Sequence, residues 1–150
     1  MLRTRAGFGH PKGTHFQCTR CALCCGDTKN RTRRILLLRI DAQTISTATS
    51  KPVDSFAKEV KGHEPYIYEM KKREDGKCVH LKGTDCKVYE LRPLVCRFYP
   101  FELITMRDGK QRFFYTEECP GIGKGKKLGR NHFEKLFKRA SEQLRKTERT

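Results

Sequence analysis

The chain has no tryptophan, and hydrophobic residues make up only 36% of its 150 residues. Its longest aliphatic run, Ile35–Leu38, is far too short to cross a bilayer, so the sequence predicts no transmembrane helix. A chain of this length forms one domain of ordinary size, but a lean apolar content leaves less burial to stabilise it. Bound metal is a second source of stability, because its binding free energy is released only in the folded state.

Acidic residues are also few. There are 17 Asp and Glu against 33 Lys and Arg, which gives a formal net charge of +16. Dense basic stretches occur at Arg31–Arg34, Lys71–Arg73 and Lys124–Arg130. Such an excess favours polyanionic partners: nucleic acid, another acidic macromolecule or an anionic membrane surface. The alternative is a soluble surface with a cationic bias and no specific partner.

Residues 1–10 are charged and glycine-rich, and no apolar core follows them, so the sequence predicts no secretory signal. We therefore expect a cytoplasmic protein, in which thiols stay reduced. In that compartment the eight cysteines indicate metal binding rather than disulfides.

The chain divides into a short leader and one domain. Residues 1–16 predict a flexible basic leader, because Gly7, Gly9, Pro11 and Gly13 interrupt any periodic pattern. Residues 17–150 contain all eight cysteines and no repeat or linker, and they predict one cysteine-cluster metal-binding domain.

The first half of this domain mixes strand and helix signals. Residues 33–40 are rich in Ile and Leu and predict a buried strand. Asp41 occupies the N-cap position ahead of a helix over residues 42–48. A second short helix is predicted after Pro52, with one apolar face formed by Val53, Phe56, Ala57 and Val60.

The second half predicts two hairpins, a loop and a helix. Asp75-Gly76 and Asp108-Gly109 each lie between strand-like runs and indicate hairpin turns. Glycines at 121, 123, 125 and 129 predict a flexible loop. Residues 131–146 predict an amphipathic helix. Together these elements predict an α+β fold, a small single metal-stabilised domain with short hairpins and a C-terminal amphipathic helix. The apolar stripe of that helix consists of Phe133, Leu136, Phe137, Ala140 and Leu144.

Four cysteines form one block, Cys18, Cys21, Cys24 and Cys25. If the block is helical, all four lie within an arc of about 120° and face one site. If it is a loop, its spacing matches the three-ligand run of a bacterial-type iron–sulfur loop, and the same C-x-x-C unit also suits tetrahedral zinc. In an extended chain the two adjacent cysteines would serve different sites.

The other four cysteines are Cys78, Cys86, Cys96 and Cys119, and their irregular spacing means that the fold must gather them. With the first block, they form either two sites of four thiolates each or one polynuclear site with six or more thiolates. Arg20, Arg92 and Arg97 flank the cysteines and favour the thiolate. We expect the histidines, including His80, to be surface or core residues rather than ligands.

At these residues the chain resembles the YkgJ-type cysteine-cluster family, the zinc- or iron-chelating CxxCxxCC domain, which includes the flagellin lysine-N-methylase. The resemblance rests on four segments: Phe16-Gln17-Cys18-x-x-Cys21-x-x-Cys24-Cys25-Gly26, Gly76-Lys77-Cys78-x-x-Leu81, Cys86-x-Val88-Tyr89-x-x-Arg92-Pro93-x-x-Cys96-Arg97-x-Tyr99-Pro100 and Cys119-Pro120-Gly121-Ile122-Gly123.

The resemblance implies that all eight cysteines are metal ligands and that the metal is zinc or iron. It implies no activity by itself. The methylase relative would need S-adenosylmethionine, and the glycine-rich segment 121–126 neither opens a helix after a strand nor precedes a suitably placed acidic residue.

These observations predict a protein that holds an iron–sulfur cluster, with 4Fe–4S favoured, or zinc or iron ions, through cysteine thiolates, as a redox or enzyme component. Iron–sulfur is favoured because one loop supplies three closely spaced thiolates, whereas zinc more often takes two separated pairs. The alternatives are a basic, zinc-stabilised nucleic-acid-binding module and an enzyme related to protein lysine methyltransferases. Whether the chain is an enzyme is left open.

Overall fold

The computed structural model describes residues 8–19, 21–29 and 31–149. These residues form three α-helices and nine short strands, and single 3-10 turns at Leu23–Cys25, Val53–Ser55 and Tyr89–Leu91 connect some of them. In chain order the helices and strands are β1 His15–Phe16, β2 Leu36–Leu37, α1 Arg39–Thr49, β3 Ala57–Glu59, β4 Tyr68–Met70, β5 Leu81–Lys82, β6 Asp85–Cys86, α2 Leu94–Phe98, β7 Phe101–Thr105, β8 Gln111–Tyr115, β9 Ile122–Lys127 and α3 Arg130–Arg149.

The strands form four small antiparallel sheets rather than one large one. Their orders are β1–β9, β2–β4–β3, β5–β6 and β7–β8. This mixture of small sheets and helices, closed by a C-terminal helix, confirms the predicted α+β class. None of the helices in the described part of the chain is long and apolar enough to cross a membrane.

The core consists of two apolar clusters that meet at the end of β2. Leu37 and Leu38 are adjacent in the chain and fully buried, yet Leu37 belongs to one cluster and Leu38 to the other. Consecutive residues of an extended chain point to opposite sides, which explains the division. The first cluster lies among α1, β2, β3, β4 and several cysteines, and the second lies between β7, β8 and α3.

The C-terminal helix confirms its predicted stripe. Phe133, Phe137 and Ala140 are almost fully buried in the second cluster, and Leu136 and Leu144 pack at its edge. The spacing of these residues places them on one face of α3, where they cover the β7–β8 hairpin.

The Asp108-Gly109 hairpin is also confirmed, since β7 and β8 pair in register from Phe101 to Thr105 and Gly109 has a φ of +84°. The Asp75-Gly76 turn exists, with Gly76 at +79°, but its hairpin is short. Arg73 donates its backbone N–H to the Lys77 carbonyl, while β4 just before it pairs with β2 and β3.

Three local predictions for the first half of the domain were wrong. The helix expected after Pro52 is a single 3-10 turn followed by β3, because residues 57–59 pair with β4. The strand expected over residues 33–40 covers only β2, since α1 begins at Arg39. Asp41 is not the N-cap but lies inside the first turn of α1, where its Oδ2 accepts a hydrogen bond of 3.0 Å from the Leu38 N–H.

The glycine-rich segment is not a loop but strand β9, which pairs with β1. The Gln17 N–H also donates to the Gly121 carbonyl at 3.1 Å. Residues 1–7 of the expected leader lie outside the described residues. From Phe8 onward the chain packs on the domain: the Phe8 ring lies 4.9 Å from the Phe137 ring, and the His10 ring lies 4.7 Å from that of Phe133.

Candidate metal centre

The N-terminal cysteine block is a loop that ends in a 3-10 turn, not an α-helix. Ala22 adopts the left-handed conformation with a φ of +65°, and the turn Leu23–Cys25 follows it. The helical alternative is therefore wrong. Gly26 then brings this loop against the 76–77 turn, where a Cβ at Gly26 would clash with the backbone of Lys77.

Backbone hydrogen bonds bring the distant cysteines to this loop. The Cys78 N–H donates to the Cys25 carbonyl at 2.6 Å, so the second motif segment lies directly beside the first. Cys86 ends β6, and Cys96 lies in the first turn of α2. Cys119 is held next to the Cys18 segment by the Gln17–Gly121 hydrogen bond and the β1–β9 pairing.

Seven of the eight cysteines line one open cavity of about 430 Å³. Aromatic side chains from three segments complete its wall, including Phe16, Tyr89 and Tyr99. Cys78 is not in this lining. It is 5% exposed and packs in the first apolar cluster, directly behind the loop that carries Cys24 and Cys25. The lining cysteines are Cys18, Cys21, Cys24, Cys25, Cys86, Cys96 and Cys119.

Mutual electrostatic effects divide the thiols into an inner and an outer group. Cys119 is influenced by Cys21 and Cys18, which are exposed at the mouth of the cavity. The inner thiols influence one another: the pKa of Cys96, for example, is affected by Cys24, Cys78 and Cys86. Cys78 therefore neighbours the inner group although it does not line the cavity. The inner group is Cys24, Cys25, Cys78, Cys86 and Cys96.

One pair of thiols is already close enough to share a metal ion. The Sγ atoms of Cys24 and Cys25 are 3.6 Å apart, and two thiolates on one tetrahedral zinc with bonds of about 2.3 Å are separated by about 3.8 Å. Among the described residues, no three His, Cys, Asp or Glu side chains are grouped closely enough to hold a single ion. The thiols are of the right chemical type for zinc or iron. However, they are spaced more widely than the ligands of one preformed tetrahedral ion site.

The pKa values of the inner thiols differ sharply. The pKa of Cys24 is lowered to about 6, first by the hydrogen bond with Cys25 and, against the effect of burial, by the positive charge of Arg33. The same hydrogen bond and burial raise the pKa of Cys25. Burial raises that of Cys96 to about 12. Without metal, Cys24 is therefore the inner thiolate, and a bound cation would be needed to deprotonate its neighbours.

Burial is also the largest cause of the raised pKa values at the remaining cysteines for which a shift is resolved. They are Cys78, Cys86 and Cys119.

Arg33 is the residue at this site that sequence reasoning missed. It is only 8% exposed, its Nε donates to the Cys24 carbonyl at 3.1 Å, and its Nη2 has no hydrogen-bond partner. In the sequence Arg33 is marked only as a member of the basic stretch Arg31–Arg34. Such a stretch does not indicate which of its side chains points toward the cysteines.

The arginines named from the sequence have other surroundings. Arg92 lines the cavity with its guanidinium 3.9 Å from the Tyr89 ring centre. Arg97 donates to the carbonyls of Arg92 and Glu90, which positions the backbone before Cys96. Arg20 lies outside the described residues. His80 is buried beside Phe56 and does not line the cavity, as expected of a core histidine.

Comparison with known proteins assigns this arrangement to a class. Residues 17–120 match the model of the CxxCxxCC family, described as "Putative zinc- or iron-chelating domain". The match covers more than half of the chain, so the chain belongs to this family. Membership supports the predicted metal binding in its general form, with zinc or iron as the metal, and the match covers all eight cysteines.

Two relatives come from the archaeon Methanocaldococcus jannaschii. The protein named Uncharacterized protein MJ0661 is 32% identical over 123 residues, which cover 76% of this chain and 63% of the relative. Uncharacterized protein MJ0939 is 30% identical over 120 residues, or 77% of this chain and 40% of the relative. The chain thus spans less than two thirds of the length of each. No solved structure matches the chain.

Proposed function

We propose that this protein is an iron–sulfur protein whose cysteine-lined cavity holds a polynuclear cluster. The observation that carries the proposal is that seven cysteines line one cavity of about 430 Å³ while no three potential ligands among the described residues are grouped for a single ion. In a cluster the thiolates bind different irons, so they stand farther apart than the ligands of one zinc. A 4Fe–4S cluster uses four such thiolates.

The surroundings of the cavity suit a redox centre. Such a cluster, when bound, takes up and releases electrons at a potential set by its charge, its hydrogen bonds and its exposure to solvent. The rings of Phe16 and Tyr99 add apolar surface to the lining, and the inner thiols are less exposed than those of Cys18 and Cys21. Arg33 places a positive charge beside Cys24 and Cys96, which offsets the negative charge of their thiolates.

The identity of the metal in the purified protein tests this proposal. Protein purified without oxygen is expected to absorb broadly in the visible range and to contain iron and acid-labile sulfide in similar amounts. Colourless, zinc-loaded protein would overturn the iron–sulfur assignment but keep metal binding. Folded protein with eight free thiols and no metal would overturn both.

A matched pair of variants tests the cavity as the place of binding. Cys96→Ser removes an inner thiol and is expected to lower the iron content severalfold. Thr84→Ala changes a lining residue that carries no thiol and is expected to keep the iron content of the unchanged protein. Equal iron in both variants would exclude Cys96 as a ligand.

A second candidate function rests on the net charge of +16. Strand β9 exposes Lys124, Lys126 and Lys127, and the polar side of α3 continues with Lys135 and Lys138. Cations on neighbouring elements suit the phosphates of a nucleic acid, so we propose RNA or DNA as the partner of this surface. The proposal is independent of the metal.

Mobility-shift titrations at several salt concentrations test the nucleic-acid proposal. Affinity is expected to fall steeply with salt, and the slope is expected to be smaller for the double variant Lys124→Gln/Lys126→Gln than for the unchanged protein. Arg107→Gln/Lys110→Gln, which removes two charges from the exposed β7–β8 turn, is the charge-matched control. No binding at low salt would end this candidate.

A further inference from the structure

A second cavity, of about 420 Å³, lies next to the cysteine cavity, and the two share Tyr99 as a wall residue. It contains no cysteine and is formed by residues 31–36 and by the region from α2 through β7 and β8, with His63 and Tyr66 at its edge. None of its other lining residues belongs to the cysteine cavity. It is therefore a separate site that touches the first through one side chain.

Positive charge dominates the lining of this second cavity. Three guanidinium groups, those of Arg31, Arg33 and Arg34, stand against one carboxylate, that of Glu102. Arg34 is already engaged, because it forms an ion pair with Glu69 and contacts His63 at 3.2 Å. Within the described residues, neither Arg31 nor Arg33 forms an ion pair with a carboxylate.

Both arginines that lack an ion pair lie near one ring. The guanidinium carbons of Arg31 and Arg33 are 5.7 Å and 5.2 Å from the centre of the Tyr99 ring. Arg33 is 8% exposed, and its Nη2 is buried without a hydrogen-bond partner. A buried cationic donor left unpaired is costly, and an anion bound near the Arg33 guanidinium would offset part of that cost.

Aromatic rings supply the rest of the surface. Phe114 and Tyr115 belong to the cavity lining and are 38% and 40% exposed, so each leaves ring surface open to solvent, on opposite faces of β8. Flat apolar walls beside paired guanidinium groups fit a ligand with a planar ring at one end and a negative group at the other.

We propose that this cavity binds an organic anion, a carboxylate or phosphate group attached to a planar ring, with Arg31 and Arg33 as the anion donors and the aromatic part of the lining as the ring surface. The shared residue Tyr99 places the ligand beside the metal centre, as a substrate or an effector of that centre would be placed. The proposal does not depend on which metal the protein holds.

Calorimetric titration of the metal-loaded protein with benzoate and with phenyl phosphate tests this site, and the two probes distinguish a carboxylate from a phosphate. We expect one of them to bind measurably and neutral benzamide to bind at least tenfold more weakly. Benzamide binding as tightly as the anions, or no anion binding at millimolar concentration, would overturn the proposal.

Two variants test whether the probe binds in this cavity. Arg31→Gln removes one anion donor and is expected to raise the Kd about tenfold or more, whereas Arg107→Gln removes the same charge outside the cavity and is expected to leave it unchanged. Arg31 is chosen over Arg33 because Arg33 also supports the Cys24 backbone. An unaltered Kd in Arg31→Gln would exclude the assigned donors.

Nuclear magnetic resonance of the bound probe separates this proposal from the iron–sulfur assignment. If the protein holds a paramagnetic cluster, the probe signals should broaden, because the two cavities share Tyr99 as a wall residue. Specific binding to a colourless zinc-loaded protein, without broadening, would refute the iron–sulfur assignment and leave the anion site intact. Specific binding to a paramagnetic iron-loaded protein, without broadening, would overturn the placement beside the metal centre.

Discussion

The guanidinium of Arg33 lies over the ring of Tyr99, with 5.2 Å between the guanidinium carbon and the ring centre. Tyr99 lines both cavities, and Arg33 lines the second while its Nε supports the Cys24 carbonyl. The pair is thus the partition between the cysteine-lined cavity and the arginine-lined one. A substitution of either residue should therefore alter both the cysteine-lined and the arginine-lined cavity.

The first prediction concerns the Tyr99 hydroxyl, which is buried without a hydrogen-bond partner. Burial and the nearby Cys119 raise the pKa of Tyr99 to about 12, so the group is neutral. Because an unpaired buried hydroxyl does not stabilise a fold, Tyr99→Phe is expected to leave the free energy of unfolding unchanged or to raise it by about 1 kcal/mol.

Urea unfolding of the metal-loaded protein measures this effect, with Tyr115→Phe, at an exposed ring, as the control. A loss of more than about 1 kcal/mol in Tyr99→Phe alone would mean that the hydroxyl has a partner in solution.

The second prediction concerns the contact between the Cys18 and Cys119 segments. A Cβ at Gly121 would lie far closer to the Gln17 carbonyl oxygen than van der Waals contact allows. Gly121→Ala must therefore push the two segments apart, and we expect a loss of about 2 kcal/mol or more in stability together with a lower metal content.

Gly129→Ala is the matched control for Gly121→Ala, since nothing lies within 4 Å of a Cβ at that position. Its stability and metal content are expected to equal those of the unchanged protein. If Gly121→Ala keeps its full metal content, the Cys119 segment does not contribute to the centre.

The third prediction concerns pH. Burial raises the pKa of Asp41 to about 6, against an ordinary value of 3.8, despite backbone hydrogen bonds that favour the carboxylate. The folded state therefore binds this proton more tightly than the unfolded state. The resulting stability is complete below pH 4 and is lost as the pH rises through 6, a total of about 3 kcal/mol.

Asp41→Asn removes this titration, and its amide oxygen can still accept from the Leu38 N–H. Between pH 5 and 7.5 the unchanged protein should lose about 1 kcal/mol more than the variant. The comparison cancels the pH dependence of metal binding, which both proteins share. Asp54→Asn, at an exposed position, is the control, and parallel curves for Asp41→Asn and the unchanged protein would contradict the assignment.

The fourth prediction concerns the segment before the cysteine block. The Phe8 ring packs 4.9 Å from that of Phe137 and 5.4 Å from that of Phe113. Phe8→Ala is expected to cost about 2 kcal/mol. Ile104→Ala, at an exposed position on β7, should cost clearly less. Equal stability of Phe8→Ala and the unchanged protein would support the predicted flexible leader over the part of it that the structure describes, residues 8–16.

Sequence reasoning succeeded where the information is local. Asp108-Gly109 specifies its turn through the positive φ of one glycine, and the stripe from Phe133 to Leu144 specifies a helix through its own period. Neither depends on what the rest of the chain does.

Sequence reasoning failed where a strand forms by pairing with a segment that is distant in the sequence. Residues 53–60 have the apolar spacing of a helical face, but pairing with β4 makes residues 57–59 a strand. Strand β9 consists of glycines and lysines and is exposed on both faces apart from Ile122, so no alternating pattern marks it. Its partner His15–Phe16 is more than one hundred residues away, and no local signal connects the two.

The candidate site shows the same division. The motif spacings identified all eight cysteines, and the structure brings seven of them to one cavity. They did not reveal that Cys78 lies behind the cavity, or that Arg33 donates to the Cys24 carbonyl, because both depend on the tertiary path of the chain. The assignment of each thiol to a metal stays a prediction.

The pairing of β1 with β9 also determines when the site can be completed during synthesis. A ribosome releases the block from Cys18 to Cys25 early and Cys119 late, because translation proceeds from the N-terminus. The growing polypeptide therefore displays the thiols of this block until the segment with Cys119, about one hundred residues later, emerges. A cofactor held by both segments can be fully bound only from that point on, and a product that stops before residue 119 carries an incomplete site.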